Sequence, residues 1–309
     1  MTAVWIILAA LLAVVLLGTV LFLIACRRGP VPDLTKPEVI AKWGRAEQTE
    51  EILAGVRLMQ DAENIFLPSY DGLRLHGRLL QQPGAKGTIL LFHGYRSSWV
   101  IDFSIVLPYY FTLGYNLLAV DERAHGESEG TYITFGVRER HDVATWAAYA
   151  AMHFGPAHPL ILDGLSMGAA TVLLASDLEL PPSVRGIIAD CGFTSPWDII
   201  KHVAKDRFHL PPFPLMYMVN LVSEIIAGFG LKEVSIPEIM KRNKIPVLFI
   251  HGDADDYVPM CMTIKNYEAC AAKKELYIVS GAGHALAFSK DMEEGKRRIK
   301  NFINKYKTI

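Results

Sequence analysis

From Thr88 onward the chain repeats one pattern, a short uninterrupted apolar run followed by enough residues for a helix. The runs are Thr88 to Phe92, Asn116 to Val120, Leu160 to Leu162, Gly186 to Ala189, Val247 to Ile250 and Leu276 to Val279. A strand with one wet face alternates apolar and polar side chains, whereas a strand covered on both faces is apolar throughout. The repeat therefore predicts an α/β fold: a mostly parallel sheet with helices on both faces. Ligands of such sheets bind beyond the carboxyl ends of the strands, so chemistry is expected just after each run. Ahead of the repeat, Ile65 to Pro68 and Leu73 to Leu80 flank the turn signal Asp71-Gly72 and predict a hairpin.

Two stretches lie outside this pattern. Ala3 to Cys26 carries no charge and consists mainly of Leu, Val, Ile and Ala. About 20 apolar residues span a bilayer as a helix, whereas a cleavable secretory core is shorter and follows basic residues that are missing here. Residues 3–26 are thus expected to contact the membrane, within a transmembrane anchor over residues 1–28. The alternatives are a buried core helix and a lipoprotein signal, since Leu23-Ile24-Ala25-Cys26 resembles a lipobox. Residues 29–63 read as a juxtamembrane helical linker, with Pro37 suited to a first turn and helical spacing at Val39, Ile40, Trp43, Ile52, Leu53 and Val56. That leaves 64–309 for one catalytic domain. Within it, residues 194–243 are far longer than a single crossover helix needs and predict an inserted cap. Trp197, Phe208, Phe213, Met216, Tyr217 and Met218 suit an apolar, mobile roof over a pocket, the alternative being plain core packing.

Composition narrows the partners. With Lys+Arg 31 against Asp+Glu 32 and no basic stripe, a nucleic-acid partner is not expected. The cysteines, Cys26, Cys191, Cys261 and Cys270, form no CxxC pair, and no histidine cluster has metal-ligand spacing, so neither a disulfide framework nor a zinc site is indicated.

The most specific local signal is Gly164-Leu165-Ser166-Met167-Gly168, between the run Leu160 to Leu162 and the helix-like Ala169 to Ala175. It fits a nucleophile elbow, a strand-to-helix turn so sharp that the positions two before and two after the nucleophile must be tiny. Ser166 would then stand alone at the turn, with the Met167 N–H and the positive helix end favouring an oxyanion. A serine hydroxyl is a weak nucleophile at neutral pH, so it needs an imidazole to take its proton and a carboxylate to orient that imidazole.

At this point the chain resembles the α/β-hydrolase superfamily, and within it the serine hydrolases of the BEM46-like and S33-peptidase-like branch, over about residues 64–306. The resemblance rests on Leu91-Phe92-His93-Gly94-Tyr95, Asp121 to Ser128 (DERAHGES), the elbow, His251 to Pro259 (HGDADDYVP) and Gly281-Ala282-Gly283-His284, in the family's order. It implies Ser166 as nucleophile, His284 as general base, and Asp255 as the acid, chosen over its neighbours Asp253 and Asp256 by the family spacing. Asp190, at the end of the preceding strand, is the rival acid. The Tyr95 backbone N–H is implied as the second oxyanion donor beside Met167. His93, His125 and His251 are assigned structural hydrogen bonds, and the Asp121 to Ser128 segment is read as a loop braced by Arg123 and His125.

The expected activity is hydrolysis of an ester, thioester or amide through an acyl-enzyme, carboxylesterase- or lipase-like, on a small acyl substrate, with acyl lipids as one candidate class. No metal or organic cofactor is expected. A serine argues against dehalogenase or epoxide-hydrolase chemistry, which in relatives uses an Asp there. An S33-like serine peptidase is the runner-up, and a non-catalytic binding scaffold the reading from another class. Arg27, Arg28, Lys36, Lys42 and Arg45 follow the apolar run and none precedes it, so the catalytic domain is expected in the cytoplasm of a single-pass membrane protein, the alternative being an exported lipoprotein held through Cys26.

Overall fold

The computed structural model describes residues 2–30, 36–42 and 45–306. The chain opens with α1 (Thr2–Cys26), α2 (Pro37–Lys42), a 3-10 turn at Ala46–Gln48 and α3 (Thr49–Leu58). The hairpin β1 (Glu63–Pro68) and β2 (Arg74–Leu80) follows, then β3 (Thr88–Phe92), α4 (Trp99–Phe103), α5 (Leu107–Thr112), β4 (Asn116–Asp121) and α6 (Glu139–Phe154). Next come β5 (Leu160–Leu165), α7 (Met167–Ala175) and β6 (Val184–Asp190). Three helices, α8 (Pro196–Phe208), α9 (Leu215–Ala227) and α10 (Ile236–Met240), fill the stretch before β7 (Val247–Gly252). The chain closes with α11 (Met260–Ala269), β8 (Lys274–Val279), α12 (Ala287–Lys290) and α13 (Met292–Tyr306).

The strands form one sheet in the order β1-β2-β4-β3-β5-β6-β7-β8, antiparallel at β1/β2 and β2/β4 and parallel from β4 to β8. Alternate side chains explain the uninterrupted apolar runs. Leu90, Phe92, Leu118 and Val120 face one core with α6 and α7, while Ile89, Leu91, Leu117 and Ala119 face a second core with α3, α5 and α13. Both faces are dry, so neither set can be polar.

Within the expected helical linker, the described residues 36–42 and 45–62 are largely helical and pack onto this body. Ile40, Ile52 and Met59 are fully buried in the second core, and Gly55 lies so close to the Ser104 backbone that a side chain there has no room. Few apolar residues are enough because they all point one way, which a polar composition hides. Trp43 lies outside the described residues.

By length and composition α1 is able to cross a membrane. Its first turns are exposed, but Gly18, Phe22 and Cys26, four apart on one face, are buried. Gly18 abuts Met218 of α9, and Phe22 meets the Tyr132 ring at 5.2 Å. The chain leaving the helix is tied to the 126–133 loop: Ile133 N donates to Cys26 O at 2.6 Å, Arg28 N to Thr131 O at 2.8 Å, and the Arg28 guanidinium to the Ser128 and Gly126 carbonyls.

Candidate active site

The chain turns from β5 into α7 within one residue. Ser166 pays with a left-handed φ of 57° at ψ −110°, a region that costs on the order of 1–3 kcal/mol and persists only where its surroundings enforce it. Here they do. The Ser166 N–H is held by the Asp190 carbonyl at 2.8 Å, and every residue of α7 is buried. A Cβ at Gly164 would collide with the Gly168 backbone, and one at Gly168 with the Phe92 carbonyl, so both small positions of the elbow are dictated by backbone contact.

The loops after β7 and β8 bring two further side chains to Ser166. His284 Nε2 lies 2.9 Å from Ser166 Oγ, and its Nδ1 lies 2.7 Å from Asp255 Oδ2. Burial pushes the Asp255 carboxyl up, but hydrogen bonds from His251 and His284 and from the Val258 N–H more than offset it, holding the group well below the ordinary carboxylate range. Its Oδ1 accepts from the Tyr257 and Val258 N–H groups at 2.9 and 2.8 Å. The neighbouring acids point elsewhere: Asp253 accepts from Gly281 N at 2.6 Å, and Asp256 meets Arg207 at 3.2 Å.

The rival acid behaves oppositely. Asp190 ends β6 within the same edge, but the structure places no hydrogen bond between it and His284 among the described residues. Burial, only partly countered by His251, His284 and Arg45, raises its carboxyl to about 6. One oxygen has no hydrogen-bond partner among the described residues.

Tyr95 follows β3 and Met167 opens α7, and among the described residues neither backbone N–H donates to a protein acceptor. The turn between them is tight, since a Cβ at Gly94 would come within 3.4 Å of Ser166 Cβ. Gly94 N donates to Asp102 Oδ2 at 2.6 Å, fixing the loop. The expected bracing of the adjoining segment takes a specific form: Arg123 pairs with buried Asp142 at 2.6 Å and with Asp71 at 2.8 Å, while His125 Nε2 accepts from Arg96 N at 2.9 Å. His93 Nε2 accepts from Glu122 N at 3.1 Å, and His251 bridges Thr263 Oγ1 and the Val258 carbonyl.

Two cavities meet at Ser166. One, of about 380 Å³, lies against α8 and α9 and is lined almost wholly by apolar groups, including Met167, Phe193, Ile199, Met216 and Val219. The other, of about 390 Å³, is mixed: Arg45, Arg96, Asp102 and His284 line it together with Ile101 and Leu165. Cys191, Asp255 and His284 place ligand-type atoms within 4.8 Å of one another, but Asp255 and His284 spend theirs on each other and on Ser166. Sequence reasoning missed Arg45, which sits in a polar stretch and donates to the Ala285 carbonyl at 2.7 Å beside His284. It also missed Leu21, Ile24 and Ala25, whose apolar character read only as membrane contact.

A family model described as serine aminopeptidase, S33, matches residues 83–225. The chain is 27% identical over 238 residues to the uncharacterized protein YqkD of Bacillus subtilis, covering 77% of this chain and 78% of that one. It is 26% identical over 219 residues to protein bem46 of Schizosaccharomyces pombe, covering 70% and 68%. Among solved structures, the Pyrococcus furiosus esterase Pf2001 superposes with a TM-score of 0.66 at 24% identity, over 81% of this chain and 93% of that one. Mouse α/β hydrolase domain-containing protein 10 superposes with a TM-score of 0.59 at 20% identity, over 79% and 99%. This chain has the α/β-hydrolase fold. The S33 match supports hydrolase activity.

The raised Asp190 carboxyl carries a stability prediction. Unfolded, it titrates near the ordinary 3.8, and folded near 6, so the buried charge costs nothing below about pH 4 and its full amount above about pH 6. Asp190→Asn removes that cost. Melting temperatures of the two proteins should shift in the variant's favour as pH rises from 4 to 7. A difference that is flat across this range would contradict the assignment.

Proposed function

We propose that this α/β-hydrolase is a serine esterase that cleaves acyl esters through an acyl-enzyme on Ser166. The carrying observation is the unbroken hydrogen-bond chain from Ser166 Oγ through His284 to Asp255. In the proposed reaction, Ser166 Oγ attacks the ester carbonyl as its proton passes to His284 Nε2, and the Tyr95 and Met167 N–H groups receive the oxyanion. Collapse breaks the C–O bond, and the leaving alcohol takes the proton from His284. Water, deprotonated by His284, then attacks the acyl-enzyme and releases the acid and free Ser166. Asp255, ionised throughout, keeps Nδ1 protonated and stabilises the imidazolium.

Two cavities of differing character, one almost wholly apolar and one that carries Arg45, Arg96 and Asp102, suit an apolar acyl group on one side of Ser166 and an alcohol with polar groups on the other. The S33 match favours a second reading, an aminopeptidase. That activity needs a carboxylate to receive a free amino group, and Asp102, the one carboxylate among the described residues lining the second cavity, already accepts from Gly94 N–H and the Ser97 hydroxyl. Ester cleavage is therefore preferred. A non-catalytic scaffold would have no use for the strain at Ser166.

Labelling by a fluorophosphonate tests the nucleophile. Ser166→Ala should abolish labelling and turnover of aryl esters while stability stays within about 1 kcal/mol. Asp255→Asn should lower kcat about ten-thousandfold, and Asp253→Asn far less. Labelling retained in Ser166→Ala would remove the proposal.

We further propose that α1 is a retained single-pass anchor with the catalytic domain in the cytoplasm, as the flanking cations favour. Cleavage ahead of Cys26 would strip buried Phe22 from the core and one wall from the apolar cavity, which supports retention over a lipoprotein. Protease added to intact cells should leave the domain whole. Digestion without lysis, or a mature N-terminus at Cys26, would defeat this topology.

A further inference from the structure

The apolar cavity beside Ser166 is closed on one side by α1. Leu21, Ile24 and Ala25, in its last two turns, line it opposite Phe208, Met216 and Val219 of the cap. The loop after β3 is fastened to the same turns: Tyr95 Oη donates to the Ala25 carbonyl at 2.7 Å, and Arg96 donates to the Ile24 and Arg27 carbonyls at 2.7 and 3.0 Å. A helix serving only as a tether would have no reason to supply a wall of the substrate site or to hold the Tyr95 loop.

Length brings the bilayer to that wall. Ahead of Gly18, the first buried residue, Thr2 to Leu17 amount to about 24 Å of helix, short of a hydrocarbon core of roughly 30 Å. The span must therefore run on into the turns packed on α9. The outer side of α9 is suited to such company: Tyr217, Leu221 and Ile225, four apart, are 52%, 45% and 74% exposed, and Glu224 is the helix's one charged side chain. Phe208 and Phe213 extend the same apolar surface, both well exposed. Of the residues lining the cavity, Ile24 and Phe208 are more than half exposed and mark its rim at this surface.

We infer that α1 and the cap together form an acyl-chain site that receives, from the bilayer, the single long chain of a lipid ester whose polar leaving group occupies the Arg45 and Arg96 cavity. The inference rests on the reading of Ser166 as nucleophile. A chain held along Ile24 loses burial if a bulky ring takes its place, and each methylene displaced counts.

The test uses the full-length protein in phosphatidylcholine nanodiscs, comparing the rates at which Ser166 reacts with an ethyl and with a hexadecyl fluorophosphonate. The wild type should prefer the hexadecyl probe. Ile24→Trp should lower the hexadecyl-to-ethyl ratio by about tenfold, and Leu12→Trp, on an exposed part of α1, should leave the ratio as it is. An unchanged ratio in Ile24→Trp would overturn the inference. Failure of the ethyl probe to label the wild type would instead overturn the nucleophile assignment. In that event a hexadecyl diazirine lipid added to Ser166→Ala still decides the acyl site: crosslinking to the peptide holding Leu21 to Ala25 supports it, and crosslinking confined to residues before Gly18 overturns it.

Discussion

The backbone contact between Gly168 and the Phe92 carbonyl sets the geometry of everything chemical in this molecule. It lets α7 start directly against the end of β3, so β5 must reverse at Ser166 with a positive φ. The same contact brings the loop after β3 alongside, with Gly94 against the Ser166 side chain. One close approach thus positions both the hydroxyl and the two N–H groups that flank it. A methyl group at either elbow glycine would separate the helix from the sheet and disperse all three.

Environment then divides the labour between two carboxylates on the same sheet edge. Asp255 collects hydrogen bonds from His251, His284 and two backbone N–H groups, and is held ionised despite its buried side chain. Asp190 has one oxygen unpartnered among the described residues and is pushed toward neutrality by burial. An orienting acid must stay charged to favour an imidazolium beside it, so physical setting favours Asp255 where residue type alone leaves both open. Asp190 contributes through its backbone instead, by holding the Ser166 N–H.

Much of this was legible in the sequence because parallel strands dry on both faces write themselves as apolar runs. Thr88 to Phe92 coincides with β3, and the shorter runs at Leu160 and Gly186 fall inside β5 and β6, whose polar ends, Asp163 and Asp190, do not look like strand. The elbow was readable because glycine is forced there. What was hidden has a common cause: a residue's partner lies far away in the chain. Arg45 reads as a surface charge until its contact with Ala285, 240 positions on, is known. Ile24 reads as lipid-facing because an apolar side chain serves a membrane and a cavity equally well.

Helix α1, helices α8 and α9 and the loop after β3 therefore share one cavity with Ser166, and the proposed reaction depends on a covalent intermediate forming there. Rapid mixing of the enzyme with excess nitrophenyl ester, followed by acid quench and peptide mass analysis, addresses that directly. The account predicts a burst of nitrophenol stoichiometric with enzyme and the acyl mass on the peptide carrying Ser166. Linear release with no burst, together with an acyl group on a different residue or on none under conditions where product forms, would contradict it.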